Sequence, residues 1–113
     1  MGLIHSPSIV SDGLVLALDA QNSRSYGGSG TTWTDVSYNG NNGTLTNGPT
    51  FEPGGPFAGS TGGSVSFDGT SSDYLSIGND SSLTFGSGDF TIEAWMNFDT
   101  AGSYTLVEKG SDW

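Results

Sequence analysis

The sequence predicts an all-β fold, an antiparallel β-sandwich, and three observations lead to this expectation. Apolar and polar residues alternate in several short stretches, whereas no stretch repeats apolar residues at helical spacing. Clusters of Gly, Asn, Asp and Ser separate these stretches as turns do. With 3 Trp, 4 Tyr and 6 Phe among 113 residues, the chain has enough large apolar side chains for the core of one domain.

Five strands are expected, in the order GLVLALDA (13–20), SVSFDG (64–69), DYLSIG (73–78), DFTIEAWMNFD (89–99) and SYTLVEKG (103–110). The shorter ones place on one face Leu14, Leu16 and Leu18, then Val65 and Phe67, then Leu75 and Ile77, and finally Tyr104 and Leu106. Several short strands separated by turn signals are typical of a sandwich or barrel.

The stretch 89–99 has the clearest alternation. One face carries Phe90, Ile92, Ala94, Met96 and Phe98, and the other carries Thr91, Glu93, Trp95, Asn97 and Asp99. A strand with one face on a core and the other toward water has this pattern.

The chain divides into an N-terminal arm, residues 1–10, and one β-sandwich domain, residues 11–113. The Gly-rich segment GGPFAGSTGG (54–63) is expected to be a surface loop, because similar strands continue on both sides of it.

Charge excludes two classes of partner. The formal net charge is −10, and Arg24 and Lys109 are the only Lys or Arg residues, so no basic patch for nucleic acid or for an anionic membrane can be assembled. No apolar run approaches the length of a membrane span. The absence of Cys removes disulfides and thiolate metal sites.

The stretch WTDVSYNGNNGTLTNGPTF (33–51) contains three Asn-Gly pairs, a strong turn signal. Two interpretations stay open. One is a cluster of ordered turns whose Asn side chains bond local backbone. The other is a calcium site of carboxylate and amide oxygens, although the spacing is not that of an EF-hand. The candidate ligands are Asp35, Asn39, Asn41 and Asn42, with Asp68 and Asp73 of the turn FDGTSSDY joining or replacing them.

Five segments follow one another along the chain: DGLVLALDA, GSGTTWTDVSYNGNNGTLTNGPTF, GGSVSFDGTSSDYLSIG, LTFGSGDFTIEAWMNFD and LVEKGS. Taken together, they resemble the N-terminal part of a laminin-G-like domain of the concanavalin-A-like lectin/glucanase superfamily. The opening segments look most like such domains in virion proteins of marine bacteriophages. The resemblance implies a jelly-roll sandwich that binds glycans or proteins through loops at its edge, often near calcium. Such domains are longer than this chain, so the sandwich is expected to be truncated at its C-terminus or completed by strands of other chains.

The family's loop W-x-D-x-S-G-N-G-N-x-G corresponds here to Trp33, Asp35, Ser37, Asn39, Gly40, Asn41 and Gly43. Tyr38 stands where that pattern has Gly. If the position requires a positive φ, Tyr38 is strained there. Its ring is alternatively an exposed platform for a sugar.

Catalysis is not expected, although the superfamily includes glucanases. Glycoside hydrolysis requires two carboxyl groups at a defined spacing, and the same-face neighbour of Glu93 along its strand is Trp95. The sequence leaves open a cross-strand pair of Glu93 and Glu108. Trp95 either packs under a loop or stacks on a sugar beside Glu93 and Asn97.

The expected function is therefore that of a non-catalytic virion or tail-fibre component that binds cell-surface glycan through Tyr38, Glu93, Trp95 and Asn97. Its other expected partners are virion proteins or further copies of the chain. The alternatives are a purely structural virion or decoration protein, and a fragment of an extracellular or cell-surface bacterial adhesin or glycanase accessory module.

Overall fold

A computed structural model describes residues 9–55 and 62–110 of the chain. The described part contains five strands: β1 (Thr32–Trp33), β2 (Gly43–Thr46), β3 (Thr50–Glu52), β4 (Ser64–Ser66) and β5 (Tyr74–Ile77). A single 3-10 turn, Ser81–Leu83, follows β5, and no α-helix occurs in this part of the chain. These residues therefore agree with the predicted all-β class.

The larger sheet has the order β1-β2-β5, and both pairs are antiparallel. Leu45 at its centre is buried and lies opposite Leu75 of β5. Gly43 lies opposite Ile77, and a Cβ at Gly43 would come within 2.5 Å of Leu75 Cδ1. The sheet thus packs tightly on the face that carries Gly43 and Leu45, while Thr44 and Ser76 on the other face are exposed.

The smaller sheet pairs β3 with β4 in antiparallel register, with Phe51 opposite Val65. The buried ring of Tyr26 has its centroid 5.5 Å from that of Phe51 and 5.9 Å from that of Trp33 in the larger sheet. The Tyr26 hydroxyl donates to Gly30 O at 2.8 Å, which satisfies its polar end. Tyr26 therefore joins the aromatic residues of the two sheets.

The connection between the sheets is the Asn47-Gly48 turn. Both residues have positive φ, 67° and 99°, as the shared tolerance of Asn and Gly for this region allows. The strands that it joins, β2 and β3, belong to different sheets, so this turn forms a corner and not a hairpin. Asn47 Nδ2 donates to Ser72 O at 2.9 Å and fixes the corner beside β5.

The alternation in the sequence predicted β4 and β5 but not β1, β2 or β3, which lie largely within the stretch 33–51 that was interpreted as ordered turns or a calcium site. The Gly-Thr-Leu-Thr run of β2 contains one large apolar residue, and the surrounding Asn-Gly pairs masked its alternation. Phe67, expected beside Val65 in a strand, lies just beyond β4 and is exposed.

The prediction of a strand over 13–20 is wrong, because side chains of the loop after β1 form hydrogen bonds with the backbone groups of this segment. Ala17 N–H donates to Asp35 Oδ1 at 2.9 Å, and the carbonyls of Leu14 and Val15 accept from the side chains of Asn39 and Asn41. Side-chain bonds of this kind compete with a β-ladder. The segment is instead fastened to the loop that follows β1.

The strands predicted over 89–99 and 103–110 are also absent, since neither segment pairs with a strand among the described residues. A strand forms a ladder with a neighbouring strand, and neither segment takes part in a ladder of the described residues. The apolar face expected against a core is half exposed, with Phe90, Ile92, Met96 and Phe98 between 46 and 53 % accessible.

Most of the expected N-terminal arm and of the expected loop 54–63 lies outside the described residues, as does the end of the chain from 111. Among residues 9–55 and 62–110 there is no helix long and apolar enough to cross a membrane.

Candidate functional site

The loop between β1 and β2 is organised around the buried carboxylate of Asp35. Asp35 Oδ1 accepts from Ala17 N at 2.9 Å and from Ser37 N at 2.8 Å. Asp35 Oδ2 accepts from Ser37 Oγ at 2.8 Å and from Asn41 N at 3.0 Å. A carboxylate has about four lone-pair positions, and protein donors occupy all of them here.

The hydrogen bonds also determine the charge state of Asp35. Burial by itself raises the pKa of this carboxyl, but the bonds from Ala17, Ser37 and Asn41 outweigh burial and place the pKa below its ordinary value. Asp35 is therefore ionised at neutral pH, and its charge is stabilised by the turn that surrounds it.

Two Asn side chains attach this loop to the segment before it. Asn39 Nδ2 donates to Leu14 O at 2.9 Å, and Asn41 Nδ2 donates to Val15 O at 2.7 Å and to Ser82 Oγ at 2.9 Å. Asn41 itself is buried. The four predicted metal ligands of this loop, Asp35, Asn39, Asn41 and Asn42, are thus joined in one network, and each makes structural hydrogen bonds.

Tyr38 projects from the middle of this network. Its φ is 69°, in the left-handed region that favours Gly, and its side chain is 91 % exposed. The strain anticipated for Tyr at this position is therefore present. Residues held in this region cost about 1–3 kcal/mol, are retained by well-determined surroundings, and cluster at binding sites.

A shallow cleft of about 280 Å³ begins two residues after Tyr38. It is lined by Gly40, Asn41, Asn42, Gly78, Asn79 and Asp80. One wall is therefore the loop organised by Asp35, and the other is the segment between β5 and the 3-10 turn. Amide and carboxylate groups of both walls thus line one cleft, and the exposed Tyr38 lies two positions before the lining residue Gly40.

The sequence analysis did not select Asn79 or Asp80 as site residues. Asp80 begins the 3-10 turn, where its Oδ1 accepts from Ser82 N at 2.8 Å, and this bond lowers the pKa of the exposed carboxyl. The sequence signal for this turn was the pattern Asn-Asp-Ser-Ser after a strand, because Asp is a typical N-cap residue at the start of a helical turn. Only the fold shows that this cap lies beside Asn41.

Asp68 and Asp73 form a separate turn. Asp68 accepts from the N–H groups of Thr70 and Ser71 and from Ser71 Oγ, each at 2.8 Å, and donates its own N–H to Asp73 Oδ2 at 3.1 Å. The bonds from the Ser71 and Thr70 N–H groups and from the Ser71 hydroxyl lower the pKa of Asp68 to about 2. Asp73 Oδ1 is buried and has no hydrogen-bond partner.

The predicted metal ligands therefore fall into two groups, and no hydrogen bond between described residues joins them. In the described part of the chain, no three His, Cys, Asp or Glu side chains come together in one group. The Asp35 carboxylate would have to give up hydrogen bonds to bind a cation. At Asp73, in contrast, one buried carboxylate oxygen has no hydrogen-bond partner among residues 9–55 and 62–110.

The other predicted glycan-binding residues, Glu93, Trp95 and Asn97, all lie on the exposed segment 89–99. Trp95 is 97 % exposed, so it does not pack under a loop. None of the three is joined by a hydrogen bond or a ring contact to Tyr38. The structure thus places Tyr38 on the loop that forms one wall of the polar cleft, and it places Trp95 on a different segment together with Glu93 and Asn97.

No protein-family model matches the chain, and no curated protein or solved structure shows significant similarity to it.

Proposed function

We propose that this protein is a non-catalytic carbohydrate-binding β-domain and that a sugar occupies the cleft beside Tyr38. One observation carries the proposal. A Tyr ring that is 91 % exposed is kept at a positive φ on the loop that forms one wall of a cleft lined by Asn and Asp residues, two positions before the lining residue Gly40. Nothing in the packing of the loop requires an exposed ring at this strained position.

The cleft has the chemistry that a sugar needs. Amide side chains donate and accept, and carboxylates accept, so Asn79 and Asp80 match the hydroxyl groups of a sugar ring. The flat face of Tyr38 matches the apolar C–H face of the same ring. The Asn42 Oδ1 atom is already bonded to Asp35 N at 2.9 Å, which leaves its Nδ2 group as the donor.

The network under the cleft supports binding by holding it in one shape. Asp35, Asn39 and Asn41 attach the loop to backbone groups 18 to 26 residues away in the chain. Preorganisation reduces the entropy lost when a ligand is ordered. The site is shallow, so single contacts are expected to be weak, and multivalent display would supply the strength.

Asp80 is the only carboxylate among the residues that line the cleft. Hydrolysis of a glycosidic bond requires a pair of carboxyl groups, so this lining supports binding and not turnover.

The setting that we propose follows the laminin-G-like resemblance: a jelly-roll domain in a virion or tail fibre that contacts glycan on a host surface, or an extracellular adhesin module. Calcium is part of the proposal at the turn that contains Asp68 and Asp73. There the buried Asp73 Oδ1, which has no hydrogen-bond partner among the described residues, and the one remaining lone pair of Asp68 suit a hard cation.

A second candidate function is that of a structural component with no glycan site. The exposed apolar side chains of segment 89–107 favour it, because soluble proteins seldom leave large apolar patches uncovered. On this alternative Trp95 belongs to a contact between subunits and Tyr38 has no ligand.

The test is retention on an array of bacterial surface polysaccharides, with the chain displayed on streptavidin to supply avidity. Wild type and Tyr38→Phe are expected to bind the same glycans. Tyr38→Ala and Asp80→Ala are expected to lose most of the signal, whereas Asp12→Ala, an exposed control on a different turn, keeps it. No retained glycan, or retention indifferent to Tyr38→Ala, would reject the cleft as the site and favour the structural candidate.

A further inference from the structure

The segment DFTIEAWMNFD has a two-fold pattern. Read from either end toward Ala94, the segment gives Asp, then Phe, then a polar residue, then an apolar residue, and the symmetry ends at Glu93 and Trp95. An antiparallel strand pair centred on Ala94 would therefore place Phe90 opposite Phe98 and Ile92 opposite Met96. A sequence with this symmetry is complementary to a second copy of itself.

The apolar residues of this pattern are available in the structure. Phe90, Ile92, Met96 and Phe98 are each about half exposed, and the segment belongs to no β-ladder among the described residues. The two terminal rings are oriented by stacking within the chain. The Phe90 ring lies 4.7 Å from Phe85, and the Phe98 ring lies 5.1 Å from Tyr104.

We propose that segment 89–99 pairs antiparallel with the same segment of a second copy, about a two-fold axis at Ala94. Such a contact is isologous, because each copy offers the same patch to the other. It supplies a ladder, which the segment lacks among the described residues, and it places two rows of apolar side chains side by side on one face. This inference goes beyond glycan binding and does not depend on it.

The exposed apolar side chains of the segment are consistent with a missing partner. Phe90, Ile92, Met96 and Phe98 are between 46 and 53 % accessible. A specific dimer buries on the order of 800 Å² of each partner. The half-exposed residues of segment 89–107 lie in the part of the chain that such a contact would cover.

Charge determines how the dimer responds to salt. The pairing brings Asp89 of each copy opposite Asp99 of the other, and each chain carries a net charge of −10. Like charges directly opposite are destabilising, and salt screens them. The dimer is therefore expected to tighten as ionic strength rises, as an apolar contact between anionic chains should.

Cysteine cross-linking tests the register, because the chain has no Cys of its own. Directly opposite residues of an antiparallel pair have Cα atoms about 4.5–5.5 Å apart, within the range of a disulfide. Ala94→Cys is therefore expected to form a disulfide-linked dimer rapidly with oxidised glutathione as the oxidant. In the matched control Asn97→Cys, the two thiols lie about 20 Å apart along the strands and should link slowly.

Sedimentation equilibrium tests the association itself. Wild type is expected to be dimeric at high salt, and Ile92→Lys to raise the dissociation constant by roughly tenfold or more, because it places two charges in the apolar row. Tyr38→Ala, which lies outside the segment, should not change it. A wild-type chain that stays monomeric at every salt concentration, or Ala94→Cys linking no faster than Asn97→Cys, would overturn the proposal.

Discussion

The carboxylate of Asp35 accepts a hydrogen bond from the backbone N–H of Ala17, 18 residues earlier, at 2.9 Å. Val36 N–H returns a bond to Ala17 O at 2.9 Å. The Asp35 side chain thus takes the place of a backbone partner in the contact between segment 13–20 and the loop after β1. The relationship explains why the apolar segment 13–20 lies against the loop without forming a ladder.

Removing this carboxylate should be costly. Asp35→Ala leaves the N–H groups of Ala17, Ser37 and Asn41 without an acceptor, and unsatisfied buried donors cost about 1–3 kcal/mol each before relaxation. We expect a loss of roughly 3 kcal/mol in the free energy of unfolding, measured by urea denaturation. Asp12→Ala, at an exposed carboxyl, should change it by less than about 0.5 kcal/mol. Equal stabilities of the two variants would contradict the central role of Asp35.

Stability should also depend on pH through the carboxyls of Asp35 and Asp68. Both have a pKa below the ordinary value of 3.8, that of Asp68 at about 2, so each contributes stability that is present above the unfolded pKa. This contribution is lost as pH falls through the folded pKa. Urea titrations should therefore show little change from pH 7 to about 5 and a decline below about 4.

Asp68→Asn isolates the Asp68 part of that dependence. The amide cannot gain the charge that the Ser71 and Thr70 N–H groups stabilise, so the variant should be less stable than wild type at neutral pH. The gap should narrow as pH falls from about 4 toward 2, because wild type then loses the same charge. A gap that stays constant or widens over this range would show that Asp68 is not the group responsible.

Tyr38→Gly should raise stability, because Gly adopts positive φ without the steric cost that Tyr pays. The expected gain is about 1 kcal/mol in thermal or urea unfolding, and glycan retention should be lost with the ring. Ser72, at φ 57° outside the cleft, provides the matched control. Ser72→Gly should gain similar stability and retain binding, and a destabilised Tyr38→Gly would show that the Tyr38 ring contributes to folding.

Packing under β5 gives a test of the larger sheet. A Cβ at Gly43 would lie 2.5 Å from Leu75 Cδ1, so Gly43→Ala should destabilise by about 1–3 kcal/mol. Leu75→Ala removes the obstructing atoms, and the double variant should lose less than the sum of the single losses. Gly27→Ala, where nothing lies within 4 Å, should be tolerated. Additive losses in the double-mutant cycle would mean that Gly43 and Leu75 do not pack as described.

Sequence patterns predicted the all-β class, β4 and β5, because these depend on alternation and on local turn chemistry. The positive φ at Tyr38 was considered only as a condition, through the resemblance to a loop that has Gly at this position. They did not predict β2, since a short central strand is specified by its neighbours in the sheet and not by its own residues. They also assigned a strand to 89–99, where the alternation is strongest but no partner lies among the described residues. The cleft was not predictable, because Asn41 and Asn79 meet only after β2 and β5 have paired.

Calcium at the turn of Asp68 and Asp73 gives the last test. A cation that binds only the folded chain raises the melting temperature, and the increase grows with its concentration above the dissociation constant. Calcium should therefore raise the melting temperature relative to chelator, and magnesium, which loses its water reluctantly, should raise it less.

Asp73→Asn should abolish the increase because it alters the buried oxygen that has no hydrogen-bond partner among the described residues. Asp35→Asn should lower the melting temperature and keep the increase, since its oxygens are already hydrogen-bonded. If the increase in melting temperature persists in Asp73→Asn but disappears in Asp35→Asn, the metal binds in the loop between β1 and β2 instead. If wild type melts at the same temperature in calcium and in chelator, the proposal that the turn binds calcium is wrong.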